Sequence, residues 1–105
     1  MMIINGINIY PIEIEQTIKE IPGVRDVVAM PLKDEMHPDV PIAAVSLEAQ
    51  VKLSADEIQQ ITTTLLGFRS PRKVFILNEI PRNSNGKIQG TELNNLIKLQ
   101  IEKIA

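Results

Sequence analysis

A lysine beside a tight turn is the residue in this sequence best suited to chemistry. Residues 81–88 read PRNSNGKI, and Asn85-Gly86 is typical of tight turns because both residue types tolerate positive φ. Pro81 fixes the entry to the loop, and the turn places Lys87 just past its tip. Such a compact point charge could bind a phosphate or a carboxylate. The pattern also fits a solvated lysine on an ordinary hairpin, so the loop alone leaves both interpretations open.

The sequence argues against other kinds of reactive site. A phosphate-binding P-loop is excluded because Ile88 stands where Ser or Thr is needed and Pro81 where the first glycine should stand. The absence of cysteine excludes disulfides, thiolate metal sites and cysteine nucleophiles. His37 is the only histidine, in what reads as an exposed loop, without a second ligand at metal spacing. We therefore predict no metal site.

The first half of the chain is predicted to form a hairpin, a helix and two strands. Two short β-type runs flank Asn5-Gly6, which predicts a small hairpin. Pro11 suits the first turn of a helix that Pro22-Gly23 would stop. Residues 24–30 and 40–47 are predicted antiparallel strands, joined by a polar surface connector, with Pro41 at the start of the second strand. The helix is expected to bury one stripe: Ile14, Ile18 and Ile21.

The second half adds two helices and a strand. Ser54 and Glu57 form a capping box that starts a helix, and Gly67 ends it. Its predicted buried stripe is Ile58, Ile61 and Leu65. A third strand over 73–77 precedes the lysine loop, and a last helix begins at about Thr91. One face of that helix carries Leu93, Leu96, Ile97, Ile101 and Ile104.

These elements predict one α+β domain over residues 1–105. A small mixed or antiparallel three-stranded sheet would pack with about three helices, with a short hairpin at the N-terminus. The chain is 44% hydrophobic but only 3% aromatic, so aliphatic residues must build the core and a base-stacking surface for nucleic acid is not expected. The 11 basic and 13 acidic residues argue against a general polyanion surface. With neither a leader nor a bilayer-length apolar run, we expect a soluble, cytoplasmic domain with no membrane contact.

Four stretches together resemble one family over nearly the whole chain. The family is the small C-terminal domain of AMP-forming adenylating enzymes, which include acyl-CoA synthetases and nonribosomal-peptide adenylation domains. The stretches that are similar to its motifs are NGINIYPIEIE (5–15), PGVRDVV (22–28), LLGFRSP (65–71) and NEIPRNSNGKI (78–88).

The resemblance implies a two-step role in a larger enzyme. A large N-terminal domain, in the same chain or in trans, would bind ATP, Mg²⁺ and a carboxylic acid. Lys87 would contact the reacting oxygens while the acyl-adenylate forms, supported by Pro81, Asn85 and Gly86 in its loop. The domain would then rotate and present the loop of Asn5, Gly6 and Ile7 to the thiol of CoA or of a carrier-protein pantetheine. Alone, it would bind none of these cofactors and be inactive.

The sequence differs from the family pattern at two places, and three hypotheses about its function stay open. The family often places an arginine three residues after the lysine, whereas Ile88-Gln89-Gly90 has none, and the family's Gly-Glu is replaced at residues 37–39. The first hypothesis is the lid domain of an acyl-CoA synthetase. The second is a subdomain that loads a carrier protein, and the third is a non-enzymatic binding or dimerisation module. A CoA-phosphate contact could involve the basic residues Arg69, Arg72, Lys73 and Arg82.

Overall fold

A computed structural model describes residues 2–4, 7–34 and 37–104 of the chain. Short strands and helices follow one another, with a 3₁₀ turn at Gly67–Arg69 after the second helix. The elements, in chain order, are β1 (Met2–Ile4), β2 (Ile7–Ile9), α1 (Pro11–Lys19), β3 (Val24–Asp34), β4 (His37–Leu47), α2 (Ala55–Leu66), β5 (Lys73–Ile76) and α3 (Gly90–Ile104). The predicted α+β class is confirmed, since three helices and a three-stranded mixed sheet occur in the described residues, after an N-terminal hairpin.

The sheet has the order β3-β4-β5. Strand β4 lies in the middle, antiparallel to β3 and parallel to β5. The prediction that the second strand of the sheet lies centrally is confirmed. Its residues 41–46 are all buried because both faces are covered. On one face, Ala43 and Val45 pack in a cluster with α1 and α2. On the other, Ile42 and Ala44 pack with α3.

The predicted surface connector at 31–39 is wrong. Strand β3 continues to Asp34, and β4 already begins at His37, so the two strands pair through most of that segment. His37, which we placed in a loop, therefore opens a strand instead. The sequence suggested a loop because prolines and charged residues are depleted in strands.

Two prolines fit into this ladder because their nitrogens point away from the partner strand. Pro31 is paired with Pro41, and the carbonyl of Pro41 accepts the N–H of Arg72 at 2.7 Å on the β5 side. The nitrogen and carbonyl of a strand residue point the same way, so neither proline nitrogen is needed between β3 and β4. The prediction that Pro41 must start its strand is wrong for the same reason.

Helix α1 follows its prediction, whereas α2 departs from it in one respect. Ile14, Ile18 and Ile21 are buried, as predicted. The Ser54 hydroxyl of α2 accepts the Glu57 N–H at 3.1 Å, which confirms the predicted cap. In α2, however, Ile58 is buried, while Ile61 is 39% and Leu65 is 64% exposed.

The stripe that α2 buries includes a threonine. Thr62, one turn after Ile58, is fully buried, and its hydroxyl donates to the Ile58 carbonyl at 2.7 Å. Because that bond satisfies the hydroxyl inside the helix, a polar residue can occupy the core face. Gly67 ends the helix with φ +58°, as predicted.

Helix α3 covers the other face of the sheet. Leu93 and Ile97 are buried and Leu96 is half-buried, as predicted, but the helix begins at Gly90. The side chains of Ile101 and Ile104 lie outside the described part of the chain. No described helix is long and apolar enough to cross a membrane.

Candidate functional site

Residues 81–89, which we call the lysine hairpin, connect β5 to α3. Two chain segments run antiparallel, with Arg82 bridged to Ile88. The Gln89 N–H donates to the Pro81 carbonyl at 3.0 Å, one step further from the tip. Ile80 is buried and Ile88 is half-buried, and both pack with the α3 side of the core. The base of the hairpin is therefore fixed on the same side of the sheet as α3.

The tip of the hairpin is closed by Asn83. Its carbonyl accepts the Gly86 N–H at 2.9 Å, and its side-chain oxygen accepts the N–H groups of Asn85 and Lys87 at 2.9 and 3.0 Å. Gly86 has φ +83°, whereas Asn85 does not have positive φ. This is a turn followed by one left-handed residue, a common three-residue hairpin connection in which that residue is usually glycine.

Lys87 is exposed, while its backbone is fixed on both sides. Its N–H donates to the Asn83 side chain, and its carbonyl accepts the Asn83 N–H at 2.8 Å. In the described part of the chain, its ammonium takes part in no ion pair or hydrogen bond. An anion outside the domain can reach this exposed side chain.

Arg82 ties the tip of the hairpin to strand β3. Its Nε and Nη2 donate to the two carboxylate oxygens of Asp26, both at 2.8 Å, and its Nη1 donates to the Gly86 carbonyl at 2.9 Å. Partial burial alone would raise the pKa of Asp26, but the Arg82 guanidinium and the Val27 N–H outweigh it and lower the pKa below its usual 3.8. The hydrogen bond to Asp26 raises the pKa of Arg82.

Sequence reasoning missed this pair. Arg82 was considered only as a CoA-phosphate contact, and Asp26 only as part of a motif. The two residues are 56 positions apart, so no local spacing connects them. The one available signal was that both lie in stretches that resemble the same family.

Of the other basic residues considered for a phosphate contact, Arg69 and Arg72 also have partners within the domain. Arg69 forms an ion pair with Glu13 at 3.1 Å. Arg72 lies over the Phe68 ring at 4.4 Å and donates to the carbonyls of Phe68 and Ser70. Nothing in these contacts gathers the guanidinium groups into an anion site.

The predicted thiol-facing loop lies mostly outside the described residues. Asn5 and Gly6 lie outside the described residues, and Ile7 opens β2, which pairs with β1. Pro81, Asn85 and Gly86, the predicted loop supports, all lie in the lysine hairpin. The described residues contain no cluster of three or more metal-ligating side chains.

Comparison with known proteins gives consistent matches. The sequence model described as AMP-binding enzyme C-terminal domain matches residues 13–87. The chain is 36% identical over 104 residues to a long-chain-fatty-acid–CoA ligase of Mycobacterium tuberculosis, across 98% of this chain and 20% of that protein. It is 33% identical over 98 residues to a 2-succinylbenzoate–CoA ligase of Listeria monocytogenes, across 89% of this chain and 20% of that protein.

Solved structures agree with the sequence matches. ATP-bound MatB from Rhodopseudomonas palustris matches with a TM-score of 0.80 at 26% identity, over 92% of this chain and 20% of that one. A fatty acyl-CoA synthetase of Mycobacterium tuberculosis matches with a TM-score of 0.77 at 36% identity, over 91% of this chain and 19% of that one. The chain thus spans about a fifth of the length of the curated relatives it matches.

Proposed function

The chain belongs to the family of AMP-binding enzyme C-terminal domains, and from that premise we propose that it is the lid of an AMP-forming acyl-CoA ligase in which Lys87 is a catalytic residue. The single observation that carries this proposal is the exposed lysine on a hairpin whose backbone is fixed by hydrogen bonds. An ammonium held this way meets an anion without prior rearrangement of the loop.

The chemistry explains why a cation is needed there. In the first step, a carboxylate oxygen attacks the α-phosphorus of ATP, the bond to the bridging oxygen breaks, and pyrophosphate leaves. Two anions must approach each other, so positive charge at the reacting oxygens lowers the barrier. A lysine that enters only when the lid closes stabilises the transition state more than the separate substrates.

The second step uses a different part of the domain. The CoA sulfur attacks the acyl carbon, AMP leaves, and the thiol proton passes to solvent. For this step the lid would rotate, withdraw Lys87, and present the loop of Asn5, Gly6 and Ile7 to the pantetheine arm. A glycine in that loop would let the backbone approach a thin ligand closely.

The rest of the enzyme would supply what this domain lacks. Relatives are about five times as long, which supports a large N-terminal domain as the partner that holds ATP, Mg²⁺ and the acid. The isolated 105-residue chain is then inactive. CoA is favoured over a carrier protein as thiol acceptor, because the named relatives are CoA ligases. The cytoplasmic location stays a prediction.

The test is acid activation by the full-length protein that carries this domain. Acid-dependent exchange of pyrophosphate into ATP is measured with a long-chain fatty acid and with 2-succinylbenzoate, the acids in the names of the two relatives described above. Lys87→Ala should slow exchange about 10²–10³-fold, the usual effect of losing one transition-state donor. Lys98→Ala, which removes an exposed lysine from α3, is the matched control and should change nothing.

Two outcomes would contradict the proposal. One is exchange at the wild-type rate by the Lys87→Ala protein. The other is acid-dependent exchange by the isolated chain. Thioester formation from added acyl-adenylate and CoA should be unaffected by Lys87→Ala, which separates the two steps.

A further inference from the structure

Arg82 makes hydrogen bonds in two directions with one rigid group. Two of its nitrogens bind the Asp26 carboxylate, and the third binds the Gly86 carbonyl. A planar guanidinium holds its donors in a fixed arrangement, so these bonds set the distance and angle between β3 and the hairpin tip. The contact with Asp26 is bidentate, which is the geometry with the strongest directional preference.

The Gly86 carbonyl belongs to the peptide unit that carries Lys87. Its other polar group, the Lys87 N–H, donates to the Asn83 side chain at 3.0 Å. Arg82 and Asn83 therefore hold this peptide unit from both ends. Only rotations within the lysine side chain remain to adjust the ammonium.

Strand β3 places Asp26 on the face of the sheet where the hairpin lies. Asp26 and Val28 are two positions apart in the regular part of β3, so they lie on the same face of the sheet. Val28 packs in the cluster on the α3 side, where the base of the hairpin also sits. A register shift just before Asp26 lets Val24 face the opposite cluster without changing this direction. The Val27 N–H, at 2.9 Å, fixes the carboxylate further.

We propose that Asp26 and Arg82 are positioning residues for acid activation: they hold the lysine hairpin against β3 so that Lys87 reaches the reacting oxygens in a set geometry. This inference rests on the proposed function of Lys87. It adds the requirement that the hairpin be anchored to β3, because an ammonium on a loose hairpin would not be oriented before the reaction.

The alternative is that the pair merely stabilises the fold. Its side chains are 37% and 29% exposed, and ion pairs as exposed as this contribute little to stability. The chain offers a matched control in Arg69 and Glu13, an ion pair that is also separated by 56 positions and is 47% and 32% exposed. If Asp26 acts only on stability, Asp26→Asn and Glu13→Gln should behave alike.

The experiment uses the full-length protein and separates the two half-reactions. We expect Asp26→Asn to lower the maximal rate of acyl-adenylate formation about 10–100-fold, as a displaced catalytic group does, with little change in the KM for ATP or acid. Arg82→Gln should have the same effect. Glu13→Gln should leave this rate unchanged. Thioester formation from added acyl-adenylate should be unaffected, and the melting temperatures of Asp26→Asn and Glu13→Gln should be similar.

A double variant decides whether the pair acts through the lysine. In the Lys87→Ala background, Asp26→Asn should cause no further loss, because the group that it positions is gone. A full additional loss there, or equal slowing of both half-reactions, would overturn the positioning role. If Lys87→Ala slows activation but Asp26→Asn does not, the positioning inference alone fails. If Lys87→Ala has no effect, the proposed function itself fails.

Discussion

The lysine hairpin and the central strand β4 are held in the domain by opposite means. Every residue from 82 to 87 is exposed, whereas every residue from 41 to 46 is buried. Hydrogen bonds and the Asp26–Arg82 ion pair fix the tip of the hairpin, while β4 is fixed by apolar packing on both faces. The contrast suggests that the two regions carry separate tasks, one for chemistry and one for stability.

The difference has a physical basis. Burial of apolar side chains contributes most of the free energy of folding, but it leaves no exposed group for a ligand. Hydrogen bonds at a surface add little to that free energy, yet they define the positions of atoms to a few tenths of an ångström. A lid that must bring a charge into another domain's pocket needs hydrogen bonds that fix its tip and apolar packing beneath that tip.

The largest effect on stability should come from the core on the face away from the hairpin. Ile18→Ala removes a fully buried side chain, and we expect the free energy of unfolding to fall by about 2–5 kcal/mol. Ile12→Ala, in the same helix at a position that is 63% exposed, is the control and should cost about 0.5 kcal/mol or less. Urea unfolding of the 105-residue chain measures both.

The same core variant also tests the separation of tasks. In the full-length protein, Ile18→Ala should activate its acid at the wild-type rate per folded molecule. If the folded Ile18→Ala protein instead activated the acid as slowly as the Lys87→Ala protein, the hairpin and the core would not be independent. The separation of tasks between the two regions would then be wrong.

A smaller effect is expected at the hairpin tip. Gly86 has φ +83° and no atoms within 4 Å of an added Cβ, so Gly86→Ala strains only the backbone, at about 1–2 kcal/mol. The exposed turn can relieve this strain by moving, which would displace Lys87 and slow adenylation about tenfold or more. Gly90→Ala is the control, because Gly90 also has open space but no positive φ.

Rate and stability together decide the Gly86 prediction. Single-turnover adenylation and thermal unfolding are measured for both variants in the full-length protein. Equal adenylation rates for Gly86→Ala and Gly90→Ala would mean that the left-handed residue at the tip does not matter for the position of the lysine.

Elements with local signals could be predicted from the sequence. Pro11 at the start of α1, the Ser54 cap of α2 and the turn at Gly86 each depend on residues within a few positions of one another. Their physics is contained in a short window, so the pattern is sufficient. The apolar run of β4 likewise predicted its central place, because only a strand covered on both faces can be apolar throughout.

The features that the sequence did not predict depend on distant partners. Pro31 and Pro41 are acceptable in these strands because they form a pair whose nitrogens are not needed for hydrogen bonds between β3 and β4. Thr62 reads as polar, although its hydroxyl is satisfied inside α2. The contact between Asp26 and Arg82 joins two segments whose approach is decided by the packing of β3 and α3, so no spacing rule can reveal it.

The smallest expected effect is the acid sensitivity of the anchor between the hairpin and β3. The pKa of Asp26 is lowered below 3.8 in the folded protein, because hydrogen bonds and the charge of Arg82 outweigh its partial burial. A lowered pKa means that the folded state favours the carboxylate, so the resulting stability is present above the unfolded value and disappears as pH falls through the folded one. Since the pair is about a third exposed, the stability that Asp26→Asn removes at neutral pH should be at most about 1 kcal/mol.

Urea unfolding of the 105-residue chain from pH 8 to pH 3 checks this sign. The difference in unfolding free energy between wild type and Asp26→Asn should be constant from pH 8 to pH 5, because both the folded and the unfolded carboxyl are then ionised. It should shrink below pH 3.8, where the carboxyl of the wild-type unfolded state binds a proton. A difference that instead grows as the pH falls from 8 would mean that burial, and not Arg82, dominates at Asp26. The hairpin would then be anchored by its own turn, and the contrast with the core would rest on Asn83 and Gly86 alone.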